Sequence, residues 1–277
     1  MKNLFREKNI KKIDILIFGI IILFIGYFPF FPFLYQNSDG LFHLSRIESI
    51  YLNLKDGIFL PSIKAGDMNG FGYLTDIFYP SLFYYLPAIL RFLFPVHISL
   101  YISFCIYKIF AITLTYKFGE NFFENKEKLK TFILIYFSNV IFVFLIMKQA
   151  YSEYMADLFI PLVIFGLEDI KNKKTNKLVI AMSIILSIHI LSLYLCTGIC
   201  VFYLIHLISK KQLKSAFLII EAGIKTLILN LYFIVPFIYY FKDYKYSPQL
   251  NKFIEIKNTN DLFLVVLAVI VLLVIYF

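Results

Sequence analysis

Cysteine is scarce in this sequence, which has three cysteines among its 277 residues. Cys105, Cys196 and Cys200 all lie within apolar runs, where a free cysteine usually behaves as a small buried hydrophobe. Cys196 and Cys200 are four residues apart, but no other cysteine or suitably spaced histidine completes a zinc-type ligand set. The cysteines therefore predict neither a disulfide framework nor a structural metal centre.

Motifs of several enzyme classes are also missing. The sequence has no nucleotide-binding fingerprint, no His-Glu-x-x-His zinc motif and no Ser/His/Asp nucleophile set. The Gly-rich stretch 66–72 lacks the Lys-Ser/Thr ending of a phosphate-binding loop. The net charge of +9 comes from lysines between apolar runs, without a basic stripe of interleaved aromatic residues, so we expect no nucleic-acid partner.

The sequence is rich in long apolar runs. Hydrophobic residues make up 60% of the chain and its mean hydropathy is +0.78, whereas soluble domains contain about 45–50% apolar residues. Eight runs have the length of about 17–25 residues that crosses a hydrocarbon layer of roughly 30 Å. They lie near residues 13–34, 97–117, 131–147, 154–170, 178–193, 194–209, 215–241 and 261–277. We therefore expect an all-α, polytopic transmembrane bundle that forms a single domain over residues 1–277, with the lipid bilayer as its partner.

The topology follows from the positions of the prolines and the lysines. Residues 80–94 are apolar but are interrupted by prolines and contain Arg91, so we interpret this stretch as a partial or re-entrant helix. The N-terminus and every second loop then lie in the cytoplasm with 16 Lys and Arg residues, against eight in the outside segments. This predicts a multi-pass cell-membrane protein with a large first outside loop at 35–79. The chain stops inside an apolar run at Phe277, from which we expect a C-terminal truncation.

The first outside loop contains the polar residues that could do chemistry. Ser38 or Asp39 can cap a helix that runs to about Lys55, and helical spacing places Asp39, His43 and Arg46 on one face. The apolar stripe of this helix could rest on the membrane surface; it consists of Leu44, Ile47, Tyr51 and Leu54. The alternative is that Asp39 only caps the helix and that His43 and Arg46 are solvated.

A second outside turn adds two acids. Glu153 and Asp157 are four residues apart, and such a pair could hold a divalent cation or bind sugar hydroxyls. The alternative is that both side chains reach out to the membrane interface. His189 lies near the outside end of a short hairpin, where a neighbouring hydroxyl or carbonyl could satisfy it. Near the cytoplasmic end of 215–241, Glu221 can pair with Lys225.

The order of these pieces resembles a known family of membrane enzymes. The matching residues are Asp39-Gly40-x-x-His43-x-x-Arg46, Gly57, Pro61, Gly70-x-Gly72, Tyr79-Pro80-Ser-Leu82-Phe-Tyr84-Tyr85, Tyr151-x-Glu153, Pro161-Leu162 and Ser187-x-His189. They resemble bacterial members of the GT-C glycosyltransferase superfamily, more narrowly the group labelled 6-pyruvoyl-tetrahydropterin-synthase-related membrane proteins. The resemblance covers roughly residues 13–240.

The resemblance implies roles for the polar residues. Asp39 would be the catalytic acid or base, or a residue that contacts a metal. Glu153 would be the catalytic residue at the second acidic position, and His43 and Arg46 would help bind the lipid-linked phosphate. Asp157 and His189 are further candidates for substrate binding. Some members of the superfamily have a Lys-Pro-Pro-Leu motif whose Lys touches the phosphate, whereas this chain reads Tyr-Pro-Ser-Leu at 79–82 and has no Asp-x-Asp pair in the loop.

The expected function is therefore transfer of a sugar from a polyprenyl-phosphate donor to an acceptor at the outer membrane face. The cofactor is unknown, and a divalent metal is left open. Two alternatives remain at this point: a transporter or flippase, and a non-catalytic scaffold or inactive relative. Fragment status would favour the scaffold, whereas paired broken helices would favour the transporter.

Overall fold

The computed structural model describes residues 38–59 and 75–241. The predicted spans 13–34 and 261–277, and the middle of the outside loop, lie outside the described residues. In the part of the chain that is described, the secondary structure is helical and contains no strand, in agreement with the predicted all-α class. Contacts divide the chain after Phe237. Of the second unit only residues 238–241 are described, so the single domain over 1–277 stays a prediction.

The described helices are mostly short. The α-helices are α1 (Ser38–Lys55), α2 (Thr75–Phe78), α3 (Tyr85–Leu90), α4 (Val96–Gly119), α5 (Lys126–Phe137), α6 (Val140–Met147), α7 (Tyr151–Asp157), α8 (Ile160–Asp169), α9 (Asn176–Leu186), α10 (Ile190–Ser209), α11 (Leu213–Leu229) and α12 (Leu231–Phe241). Single 3₁₀ turns cover Leu82–Tyr84 and Ile170–Asn172.

Three helical segments of the described chain are long and apolar enough to cross a membrane. They are α4, the segment Lys126–Met147 formed by α5 and α6, and α10. The pair α11 and α12 is a fourth candidate if it counts as one span, although its two helices meet at a bend of 79°. This supports a membrane protein but corrects the expected number of eight spans, because the predicted spans 154–170 and 178–193 do not appear as helices of spanning length.

A polar residue and a proline interrupt helices within apolar runs that look continuous in the sequence. Between α5 and α6, the Asn139 side chain accepts a hydrogen bond from the Ile141 backbone N–H at 2.9 Å and so starts a new helix. The run 154–170 consists of α7 and α8, and Pro161 occupies the first turn of α8, where its missing N–H costs no helical hydrogen bond. α7 therefore lies outside the candidate membrane spans.

The apolar stripe of α1 packs inside the protein. Ile47 and Ile50 are fully buried, and α1 packs against α3 and α4. Leu44, Tyr51 and Leu54 are partly buried against the same core. The stripe therefore packs against neighbouring helices, and its expected contact with the membrane surface stays a prediction. The expected Glu221–Lys225 ion pair is confirmed in α11.

Candidate functional site

The N-terminus of α1 is held by a side chain from the second predicted outside turn, residues 148–153. The Gly40 backbone N–H donates a hydrogen bond of 2.9 Å to Oε1 of Gln149, 109 residues further along the chain. The first N–H groups of a helix have no partner within the helix, so a carbonyl from elsewhere satisfies one of them here. Gly40 and Gln149 are both buried, which makes this contact costly to lose. The two predicted outside turns therefore meet.

Gln149 adopts a conformation that usually belongs to glycine. Its φ is 62°, in the left-handed region, and it follows directly after the C-cap residue of α6. The Gln149 N–H donates to the Ile146 carbonyl at 2.9 Å and the Ala150 N–H donates to the Leu145 carbonyl at 3.0 Å. This is the hydrogen-bond pattern of a Schellman C-cap. A non-glycine residue pays a conformational cost in this region, and such positions cluster at functional sites.

A second polar connection crosses the same junction. The Tyr84 hydroxyl lies 2.7 Å from Nδ1 of His43 and 2.7 Å from Oγ of Ser152, so it links α1 to α7. The His43 ring stacks on Tyr84 at 5.8 Å between centroids and also contacts Tyr151 at 5.4 Å. Burial raises the pKa of Tyr84, which keeps its hydroxyl protonated and able to donate; the Arg46 charge acts in the opposite direction.

Arg46 is enclosed by the protein. Its side chain is 1% exposed and pairs with Asp76 of α2, with Nη2 at 3.1 Å from Oδ1. The same nitrogen donates to the carbonyls of Tyr79 at 3.2 Å and Pro80 at 2.8 Å. Its guanidinium also lies 4.3 Å from the Tyr84 ring centroid, within cation–π range. In this arrangement Arg46 positions α1 and the 79–84 segment, and its predicted contact with a phosphate stays a prediction.

The two predicted catalytic acids lie beside these connections and are exposed. Asp39 is in the first turn of α1, next to Gly40, and Glu153 follows Ser152 in α7. Each acid is therefore one residue away from a buried hydrogen bond that joins α1 or Tyr84 to the second outside turn. Among the described residues, no group of three or more His, Cys, Asp or Glu side chains could hold a metal ion.

Asp157 and His189 meet through a serine. Ser192 Oγ donates to Oδ1 of Asp157 at 3.2 Å and lies 3.0 Å from Nδ1 of His189. Burial raises the pKa of Asp157 to about 6, the charge of Glu153 adds to this, and the Ser192 hydrogen bond opposes it. Burial also lowers the pKa of His189. The cluster joins α7 to the start of α10.

Sequence reasoning found the two acids and missed the residues that bring their segments together. Tyr84 was part of the matched motif but had no role, and Gln149 and Ser152 were only part of the second turn. Two signals were present: a polar residue two positions after an apolar helix, and a tyrosine four residues after Pro80 in an apolar stretch. Neither signal identifies the partner residue, because the contacting residues are 41 and 109 positions apart in the sequence.

Comparisons with known proteins give one relative without a described activity. It is an uncharacterized protein of Lactococcus lactis subsp. cremoris (strain MG1363), 29% identical over 170 residues. The match covers 57% of this chain and 27% of that protein, so the chain corresponds to about a quarter of the relative's length. No family model matches the chain. No solved structure matches it either.

Proposed function

We propose that this protein is a membrane glycosyltransferase of the GT-C type that transfers a sugar from a polyprenyl-phosphate donor at the outer membrane face. The observation that carries the proposal is the junction of the two outside turns. The Gly40–Gln149 and His43–Tyr84–Ser152 hydrogen bonds hold Asp39 and Glu153 on elements that touch. Helices long enough to cross a membrane give an amphiphilic donor a lipid phase from which to reach this junction.

In the proposed reaction, Asp39 acts as the general base. Its carboxylate takes the proton from the acceptor hydroxyl, and the acceptor oxygen forms a bond to the anomeric carbon of the sugar. The bond between that carbon and the phosphate oxygen breaks, and polyprenyl phosphate leaves with the electron pair. Asp39 is suited to this role because it is exposed while the backbone next to it is fixed by a buried hydrogen bond.

The other residues have supporting roles in the proposal. Glu153 is the second acid and would contact sugar hydroxyls or the acceptor. His43 uses Nδ1 for Tyr84, so a contact with the donor would come from its Nε2 atom. Arg46 positions α1 through its buried ion pair with Asp76. Asp157 and His189 lie in a separate hydrogen-bonded cluster and would line the path of the substrate rather than the reacting bond.

The test uses the purified full chain in lipid nanodiscs with polyprenyl-phosphate hexoses, supplied one at a time, and a mixture of membrane acceptors. Release of polyprenyl phosphate is measured. We expect turnover in the unsubstituted protein and its loss in Asp39→Asn, with an unchanged thermal unfolding midpoint. Asp56→Asn is the matched control, because Asp56 is an exposed acid just beyond the other end of α1 and should keep full turnover. Equal turnover in both variants would overturn the role of Asp39.

A transporter is the second candidate, and one observation favours it. The pair α11 and α12 is bent by 79° at Asn230, and broken helices of this kind form binding sites in many transporters. Substrate-driven uptake into vesicles separates the two functions. Uptake of a substrate without any release of polyprenyl phosphate would replace the glycosyltransferase proposal.

A further inference from the structure

Four polar residues lie where the packed helices α9 and α11 end, and two of their side chains, Ser187 and Asn230, are in contact. Ser183 and Ser187 are four residues apart at the end of α9, and Thr226 and Asn230 have the same spacing on α11. Both pairs follow the helical repeat, so each lies on one face of its helix. The two helices pack against each other, and neither the outside junction nor the Asp157 cluster uses these residues.

The direct contact between the helices is made of hydroxyl, carbonyl and amide groups. Ser187 Oγ lies 2.9 Å from Oδ1 of Asn230 and 2.7 Å from the carbonyl oxygen of Ser183. A serine hydroxyl carries one proton, so it cannot donate fully to both acceptors. Asn230 Nδ2 uses one of its two N–H groups to donate to the Thr226 carbonyl at 2.9 Å, and the Tyr232 hydroxyl also hydrogen-bonds Ser187. Oxygen atoms of α9, α11 and the start of α12 therefore meet at this junction.

Two further oxygens of the cluster have no hydrogen-bond partner among the described residues. They are Ser183 Oγ and Thr226 Oγ1, and both atoms are inaccessible to solvent. Thr226 is 4% exposed as a residue, Ser187 5% and Asn230 2%. A buried polar atom without a partner costs free energy, so a further ligand at these two oxygens would be stabilising.

The backbone adds negative potential at the same point. Ser187 is the C-cap residue of α9 and Asn230 is the C-cap residue of α11, and their side chains touch. Each helix C-terminus carries the equivalent of about half a negative charge from its aligned peptide dipoles. Two such ends therefore face a group of hydroxyl and amide oxygens, next to the 79° bend between α11 and α12.

We propose that this cluster binds a monovalent alkali-metal cation, with sodium as the ion to test first. The ligands would be the oxygens of Ser183, Ser187, Thr226 and Asn230. Hard cations take oxygen ligands, and divalent ions usually require carboxylates, which this set does not contain. Transporters hold sodium with neutral oxygens and helix C-terminal ends at broken helices. The site is independent of the proposed sugar transfer, since it shares no residue with Asp39, Glu153 or their hydrogen bonds.

The experiment measures thermal unfolding of the purified full chain in nanodiscs. Sodium chloride replaces choline chloride at constant ionic strength, which separates binding of sodium from screening by salt. We expect a saturable rise of the unfolding midpoint, about 5 °C or more at a sodium concentration about 100 times Kd. Potassium chloride is tested in the same way, and a weaker or equal response assigns the ion preference of the same site.

The variants test the ligands. Thr226→Val keeps the shape of the side chain and removes its oxygen, so we expect at least a tenfold weaker response to sodium. Ser183→Ala provides the same test if Thr226→Val does not fold. Thr115→Val is the matched control, because Thr115 Oγ1 in α4 is also buried without a partner but lies outside the cluster, and this variant should respond as the unsubstituted protein does.

Two outcomes would overturn the inference. If the unfolding midpoint is the same in sodium and choline at every concentration, the cluster holds water or nothing, and no cation site exists. If Thr226→Val and Ser183→Ala both keep the full sodium response, the ion binds elsewhere. Neither outcome affects the assay of polyprenyl-phosphate release, which tests the proposed transferase.

Discussion

The two halves of α1 are attached to the rest of the protein in different ways. In the first half, Gly40 and Arg46 are buried and bind partners that are themselves buried, Gln149 and Asp76. In the second half, Glu48 forms an ion pair with Arg91 at 2.8 Å, but the two side chains are 37% and 30% exposed. Arg91 also lies over a ring, that of Tyr51, at 4.9 Å. The two halves of α1 therefore use similar chemical groups, but water reaches the ion pair of the second half and not that of the first.

This difference in burial indicates which contacts fix the position of α1. Exposed ion pairs contribute little to stability because water already solvates both charges. A buried pair is expensive to break, because the partner that remains is a charge without solvent. The half of α1 that places Asp39 is thus fixed by buried contacts, as the proposed role of Asp39 as general base requires. The following variants compare the two halves, in order of decreasing expected effect.

Arg46→Met removes the charge that pairs with Asp76. We expect the free energy of unfolding to fall by about 3–5 kcal/mol, because the Asp76 carboxylate and the carbonyls of Tyr79 and Pro80 lose their donor. Denaturation of the purified protein in detergent measures the change. Arg46→Met combined with Asp76→Leu should recover part of the loss, and no recovery would show that the ion pair is not the source of the effect.

Gln149→Ala removes the acceptor of the Gly40 N–H and keeps the left-handed backbone. We expect a loss of about 1–3 kcal/mol for the buried donor left behind. Gln149→Gly should lose about 1 kcal/mol less than Gln149→Ala, because glycine adopts a φ of 62° without steric cost.

Lys211 is the matched control for Gln149. It has a φ of 58° in the same capping pattern after α10, but its side chain is exposed. Lys211→Gly should therefore stabilise the protein slightly in the same unfolding experiment. If Gln149→Gly also stabilises it, the Gly40 hydrogen bond contributes nothing.

Tyr84→Phe removes one hydroxyl and keeps the ring under Arg46. We expect a loss of about 1–3 kcal/mol, because the buried His43 and Ser152 groups lose their shared partner, and a larger proportional loss of the proposed sugar transfer because the two residues are no longer joined. Tyr51→Phe is the control in the second half of α1, where the ring under Arg91 stays in place. Equal effects of the two variants on transfer would remove the role of Tyr84.

Glu48→Gln should have the smallest effect. Because Glu48 and Arg91 are both about one-third exposed, we expect a loss of at most about 1 kcal/mol, which decreases further at high salt. The comparison uses unfolding at low and high sodium chloride, with the Arg46→Met variant alongside. A loss as large as that of Arg46→Met would contradict the distinction between the two halves.

Some of this architecture could be predicted from the sequence. Local patterns located the helix that ends at Lys55 and the apolar helices α4 and α10, because apolar length and capping residues act within a few turns. The pairing of Glu221 with Lys225 followed from helical spacing for the same reason. The number of spans was overestimated, because hydropathy does not register Pro161 at the start of α8 or the helix break between Leu186 and Ile190, which interrupt apolar runs without making them polar.

The site could be predicted only in part. Helical spacing placed Asp39, His43 and Arg46 on one face but could not tell that Arg46 is buried. That result depends on Asp76, which is 30 residues away in another helix. Similarly, Asp157 and His189 were predicted separately, and the serine that joins them lies within α10. Contacts at such distances depend on how helices pack, and a single sequence carries no direct signal of packing.

The separation between Gly40 and Gln149 has a consequence for biosynthesis. A ribosome that has just completed α1 still has to make the whole of α4, α5 and α6 before the acceptor for Gly40 leaves the exit tunnel. During that interval Asp39 belongs to a helix whose first turn has no support from the second outside turn. The nascent chain therefore acquires the fixed position of its candidate base late, only after α4, α5 and α6 have been synthesised and the turn that follows them has emerged.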